Sequence, residues 1–331
     1  MKKDRLFYLD FIRAVSVVSI VVFHFAMPIF IQYFSNVNLG DIGVSLFFII
    51  SGAALMYTYT QNFSAKEFFI KRFLGIYPMF WIAYVAAFLY YFYLNKGIVF
   101  TAPKVNLILT LVGMDGYLNY WIPGFYILGE WFLGCIILLY VCFPLLRKLV
   151  IEKPLILLIC VVVLYFGLVN FYPFKMNMGR NFIMRVPDML VGMYFIQYIK
   201  KVKIYHFIPA LIISVILLFF DVNINHMYEL TLSGISLFFV LVFISNFIKW
   251  DNIQRIISVI SKYSFAIFLT HHVIIYHFLG RFKGKELSTT ETYTLFLLTC
   301  IVILIISIYL QKASDKVTGS LKRILAKSNI S

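Results

Sequence analysis

Apolar runs of about 18 or more residues recur along this chain, each long enough to cross a ~30 Å hydrocarbon core as a helix. Ten such segments are predicted, at approximately 8–32, 40–60, 73–95, 125–147, 154–172, 182–199, 204–220, 229–248, 260–280 and 291–311. Polar residues gather in the short stretches between them. A further apolar piece, Val105 to Met114, is too short to cross and is expected either to re-enter the bilayer or to lie at its interface. The pattern predicts an all-α fold, a polytopic membrane helical bundle of about ten transmembrane helices. No internal repeat or long hydrophilic stretch divides it, so residues 1–331 read as a single membrane domain.

Composition agrees with this reading and excludes an ordinary soluble domain. Of 331 residues, 62% are hydrophobic and only 13% charged, where a soluble surface needs roughly a quarter charged residues. A net charge of +15 invites a nucleic-acid function, but the cations lie in small groups between apolar segments rather than on one face. Topology accounts for them instead, and no nucleic-acid partner is expected. With ten spans, twenty Lys and Arg fall on the amino-terminal side and seven on the other. The positive-inside rule then places both termini in the cytoplasm of a multi-pass protein of the cell (plasma) membrane. The start, Met-Lys-Lys-Asp-Arg before the run from Tyr8, lacks a small-residue cleavage site and reads as a retained first helix. Cys135, Cys142, Cys160 and Cys300 lie in apolar segments without metal-ligand spacing and read as packing residues.

Sorting every cation by topology leaves Arg13 and Arg185 inside predicted spans, and the same sorting leaves Asp10, Glu130 and Asp188 among the acids. Ionisable groups in hydrocarbon are costly and mark candidate functional sites. Asp10 stands three residues before Arg13 and Asp188 three after Arg185, so each arginine has a helical neighbour of opposite charge. Either guanidinium is then a neutralised packing element, or it faces a cavity and grips an anion such as phosphate.

His24 has no carboxylate within one turn. Eleven residues at about 100° each bring it back onto the face of Arg13, roughly 16 Å further along the helix. Measured from Tyr8, it sits about 24 Å along the core, and a neutral imidazole among Val22, Phe23 and Phe25 suits a general base. A bond to a neighbouring helix is the plainer alternative. Lys71-Arg72 at the start of the third span reads as positive-inside residues or headgroup contacts. Glu130, before Trp131, either orients a sugar hydroxyl or snorkels. His271 and His277 with His24 raise a metal site, but no carboxylate stands at ligand spacing and no metal is expected. Ser51-Gly52 reads as a close-packing position rather than a nucleophile.

The motifs themselves resemble a known family. Leu9-Asp10-Phe11-Ile12-Arg13 followed by His24, Phe47-Phe48 with Ser51-Gly52, Lys71-Arg72 through Tyr77-Pro78, Trp131-Phe132-Leu133 with Tyr140 and Pro144, Arg185 with Gly192-Met193, and Ser264 through His271 are similar in order and spacing to the acyltransferase-3 family. These are integral membrane acyltransferases that modify cell-surface glycans. Two positions depart from the pattern: Ser45 where the family often has Asp, and Gly75 where it often has a second Arg.

The resemblance implies a membrane-bound O-acyltransferase moving an acyl group, acetyl by default, from acyl-CoA to a hydroxyl of a surface polysaccharide or glycolipid. It implies His24 as general base with Arg13 as its catalytic companion, Arg13, Lys71 and Arg72 as donor contacts, and Asp10, Glu130, Trp131, Arg185 and His271 in support. The expected partners are acyl-CoA, the glycan acceptor and membrane lipids; the sequence fixes no oligomeric state. The rival reading is a transporter or export protein for a glycan or lipid-linked glycan, its buried charges lining a pathway. A structural subunit of a capsule-assembly complex is a second.

Overall fold

The apolar runs fold as helices in the computed structural model, which describes residues 6–27, 38–98, 102–129 and 131–328. In chain order these are α1 (Phe7–Phe25), α2 (Leu39–Tyr59), α3 (Ala65–Leu94), α4 (Leu107–Leu111), α5 (Asp115–Leu118), α6 (Trp131–Glu152), α7 (Pro154–Asn170), α8 (Phe182–Tyr194), α9 (Ile204–Phe219), α10 (His226–Ser245), α11 (Asp251–Arg281) and α12 (Thr289–Ser328). No strand occurs among the described residues, and the fold is an all-α helical bundle. Each of the ten predicted segments overlaps a helix among the described residues, residues 28–32 of the first lying outside them. Seven of these, α1, α2, α3, α6, α10, α11 and α12, are long and apolar enough to cross a membrane. The remaining three, α7, α8 and α9, have 17, 13 and 16 residues, α8 being prolonged by a π-helical turn, Phe195–Ile199.

Helix ends differ from the predicted bounds for local reasons. The first span was expected to run to 32, but α1 stops at Phe25, with Ala26 in the left-handed region at φ 55°. Met27 precedes Pro28, and a residue before proline is pushed out of the α region. The third span begins at Ala65 rather than 73, because the Ser64 side chain accepts a hydrogen bond from the Glu67 N–H and caps the helix. The fourth begins at Trp131 rather than 125, after Gly129 at φ +77°. The ninth begins at Asp251 rather than 260 and the tenth runs on to Ser328. Glu130 lies outside the described residues.

The chain divides into two compact units. The first comprises residues up to 63 with 135–264; the second comprises 64–134 and the residues from 265 onward.

At the centre of the first unit is α2, which packs against α1, α8 and α10. Its core joins Ile12 of α1, Leu46, Ile49 and Ile50 of α2, Met184 of α8, and Leu230 and Phe238 of α10. Lipid tails are as apolar as these side chains, so close van der Waals contact rather than escape from water holds such helices together. Two glycines set the distance. A Cβ on Gly192 would stand 1.8 Å from the Ile49 carbonyl oxygen, and one on Gly52 2.0 Å from that of Met189. The small-residue reading of Ser51-Gly52 is explained by this contact, with the Ser51 hydroxyl 2.9 Å from the Tyr140 hydroxyl. Gly192→Val should cost about 3 kcal/mol through overpacking. The check is thermal unfolding in detergent: a wild-type melting temperature for Gly192→Val would refute the backbone contact.

In the second unit α3 carries Tyr77, Trp81 and Tyr84 on one helical strip. The Tyr77 hydroxyl donates to the Val112 carbonyl at 3.0 Å, Trp81 Nε1 to that of Leu111 at 3.0 Å, and the Tyr84 hydroxyl to that of Phe125 at 2.7 Å. Leu111 and Val112 end α4, where helical carbonyls lack intrahelical donors. Tyr77 lies 17 residues before the end of α3, about 25 Å. The short apolar piece after α3 therefore turns back along it. The α3 side chains satisfy carbonyls that the short helix leaves open. Asp115, fully buried, accepts from Thr110 inside this segment.

Candidate active site

Helix α1 places Asp10, Arg13 and His24 at fixed spacings along one rod. Asp10 falls in its first turn and His24 in its last, the aspartate with the charge sign that suits the helix dipole at its end. Because α1 ends at Phe25, His24 stands at the helix terminus rather than part-way through a longer span. It is partly exposed, between buried Val22 and Phe25, with the exposed Phe23 ring 5.1 Å from the imidazole. The surroundings are thus less uniformly apolar than the sequence suggested.

Arg13 forms a triangle with Asp10 and Ser261. Its Nη1 donates to Asp10 Oδ1 at 3.4 Å and to Ser261 Oγ at 3.3 Å, and Ser261 Oγ donates to Asp10 Oδ1 at 2.7 Å. Asp10 is nearly buried, but the Arg13 side chain keeps 31% of its surface exposed. The guanidinium is thus held to Asp10 and Ser261 and also borders an opening. The opening is a cavity of about 570 Å³ lined by Asp10, Arg13, Ser258, Val259, Ser261, Lys262 and Ser264. Two cations, one carboxylate and three hydroxyls give it a net positive, donor-rich wall. Donors of this kind are suited to anionic oxygen, which they meet through charge-assisted hydrogen bonds.

Ser258 and Ser261 escaped the sequence reading, which began the ninth span at 260, knew Ser264 only as the start of a family-like motif, and counted Lys262 among the cations of the amino-terminal side. With α11 starting at Asp251, these residues lie well inside the helix. Their signal was present, since Ser258, Ser261 and Ser264 recur every three residues on one face.

Arg185 resolves the other way. Its side chain is fully buried, with Nε donating to the Gly179 carbonyl at 2.7 Å and Nη1 to Ser45 Oγ at 2.7 Å and Asp188 Oδ2 at 3.2 Å. The guanidinium also lies 5.7 Å from the Phe48 ring centroid. Arg185 is a packing element joining α2 and α8, sealed from any ligand in this conformation. Ser45, where the family often has Asp, is the residue that accepts from it, while Asp188 supplies the negative charge.

The remaining predicted residues belong to the second unit. Lys71 is exposed and pairs with Glu67 at 3.1 Å; Arg72 lies 6.0 Å from the Phe68 ring centroid. Both sit about two turns inside α3 rather than at its entrance. A Cβ on Gly75 would meet nothing within 4 Å, so packing does not exclude the arginine often found there. Trp131 opens α6. His271 is fully buried, its Nδ1 donating to the carbonyls of Phe268 at 2.7 Å and Ile267 at 3.1 Å, the tautomer that leaves Nε2 as acceptor. His277 is engaged by Tyr90.

The described residues thus form a helical membrane bundle with a partly exposed arginine in a polar cavity and a histidine at the end of the same helix. The family follows from the whole sequence: the profile of the acyltransferase-3 family, described as an acyltransferase domain, matches residues 6–312. The chain belongs to that family, and its role is acyl transfer in a membrane. No curated protein shows significant similarity to it.

Proposed function

We propose that the chain moves an acyl group, acetyl by default, from acyl-CoA to a hydroxyl of a cell-surface polysaccharide or glycolipid at the plasma membrane. The observation that carries this reading is the cavity beside α1, in which Arg13 and Lys262 face an opening roughly 16 Å from His24 on the same helical strip. On the positive-inside reading, that cavity lies toward the cytoplasm, where CoA is available. Its phosphates engage Arg13 and Lys262, with Ser258, Ser261 and Ser264 supplying neutral donors. Lys71 and Arg72 add positive potential on the same side of the membrane and draw the donor in.

An extended arm then carries the thioester along α1 toward His24. The imidazole takes the proton from the acceptor hydroxyl as its oxygen attacks the thioester carbonyl. Collapse of the tetrahedral intermediate breaks the carbon–sulfur bond, and the departing thiolate receives the proton. The acyl group ends on the glycan and CoA leaves as the free thiol. Asp10 and Ser261 hold Arg13 in place rather than react. The chemistry asks for no metal.

Each charge-assisted contact to phosphate is worth about 1.5–3 kcal/mol. Arg13→Ala should therefore raise the KM for acetyl-CoA roughly 10–100-fold with kcat little changed, and Lys262→Ala should act in the same direction. Membranes assayed for thiol release over a range of acetyl-CoA concentrations give the answer. Unchanged donor KM in both variants would remove the phosphate role from this cavity.

A further inference from the structure

The second unit contains a cavity of quite different character from the one beside Arg13. It is about 590 Å³, within the range of small-molecule sites, about 300–1,000 Å³. Its walls come from α3, α11 and α12 with Leu128. Three alanines of α3, Ala83, Ala86 and Ala87, leave room where larger side chains would fill it, and Val273, Ile306 and Leu310 face the space from the other two helices. Thr270, the polar residue midway, spends its hydroxyl on the Ala266 carbonyl and on Ser307. The body of the cavity therefore presents hydrocarbon.

Its dimensions and its one polar end identify what fits. From Ile82 to Tyr90 the α3 wall runs about 12 Å, and from Val302 to Ala313 the α12 wall runs about 16 Å. That is the thickness of one leaflet's hydrocarbon, half of a ~30 Å core. At the end bordering Leu94 and Arg281 stands a hydrogen-bonded pair, the Tyr90 hydroxyl and His277 Nδ1, 2.5 Å apart. Arg281 follows one turn later, with Lys283 beyond it. Apolar walls one leaflet deep, ending in polar groups and cations, match a lipid tail with its phosphate headgroup.

We propose that this cavity is a lipid site, taking one acyl chain of a membrane phospholipid between α3, α11 and α12, with the headgroup at Tyr90, His277 and Arg281. On the positive-inside reading this lipid belongs to the outer leaflet. The site is argued from the second unit alone and stands whether or not the acyl-transfer reading does.

The test uses the full chain in nanodiscs of phosphatidylethanolamine and phosphatidylglycerol doped with a phospholipid bearing a diazirine midway along one chain. After irradiation, peptide mass spectrometry maps the adducts. Helix α7, whose Leu155 and Val163 are exposed, reports ordinary boundary lipid. Adducts should concentrate on residues 83–90, 270–278 and 302–310 about tenfold above α7. Ala86→Trp, at an exposed position on the rim, should abolish that excess while leaving α7 labelling unchanged. Ile306→Trp does the same from the opposite wall and serves if the first variant is unstable. Adduct density equal to that on α7, or an excess undiminished in the tryptophan variants, would overturn the proposal.

Discussion

Replacing His24 by alanine is expected to lower acyl transfer by roughly 10²–10⁴-fold, the usual contribution of a positioned general base. The protein should accumulate in the membrane at normal levels, because His24 occupies the last turn of α1 and is only partly buried; its removal opens no large hole in a packed core. Donor binding should be unaffected, since the Arg13 cavity lies roughly 16 Å away along the same helix. The diagnostic is therefore a split: kcat collapses while acetyl-CoA affinity stays within about twofold, whereas Arg13→Ala does the reverse. His24→Ala with wild-type turnover would end the general-base role outright. A fall in CoA affinity equal to the fall in turnover would instead make His24 a donor contact.

The second large effect concerns stability. Arg185 and Asp188 are both fully excluded from solvent, and removing one member of a buried ion pair strands the other charge at a cost of about 3–5 kcal/mol. Arg185→Met should accordingly unfold or aggregate far below the wild-type melting temperature. The double variant Arg185→Met, Asp188→Leu should recover much of that loss, because replacing a buried pair by apolar residues of similar size is often close to neutral. Melting curves in detergent for the three proteins distinguish the cases. Equal stability of Arg185→Met and wild type would show that the pair does not hold α2 to α8. The fraction of double variant that folds should keep a wild-type acetyl-CoA KM, since Arg185 has no exposed surface to offer a phosphate.

These two arginines illustrate what a sequence carries and what it does not. Both stand three residues from an aspartate, so the sequence gives them identical local partners. What separates them is a second partner far along the chain: Ser261 for Arg13, 248 residues on, and Ser45 for Arg185, 140 residues back. Burial follows from those distant contacts, and periodicity has no access to them. The helical runs were legible because hydrocarbon demands long apolar segments. Their ends were legible in part, through Pro28 after α1 and the Ser64-Glu67 cap of α3, local signals that an apolar count overlooks. Ser258 and Ser261 on α11 were hidden by an assigned start nine residues too late, which left Lys262 at the edge of the span among the cations of the amino-terminal side. Asp115 was not singled out in the sequence, and it is buried in the connection that turns back beside Tyr77 and Trp81.

The central claim is that this chain transfers an acyl group to a surface glycan with His24 as the base. It is tested most directly by mass spectrometry of the surface glycan from three strains carrying the wild-type chain, no chain, or His24→Ala. Loss of one acyl mass in both altered strains, at unchanged glycan length and normal levels of the variant protein, is the predicted result. An acyl mass retained in the His24→Ala strain, or a shortened glycan in place of a deacylated one, would contradict it.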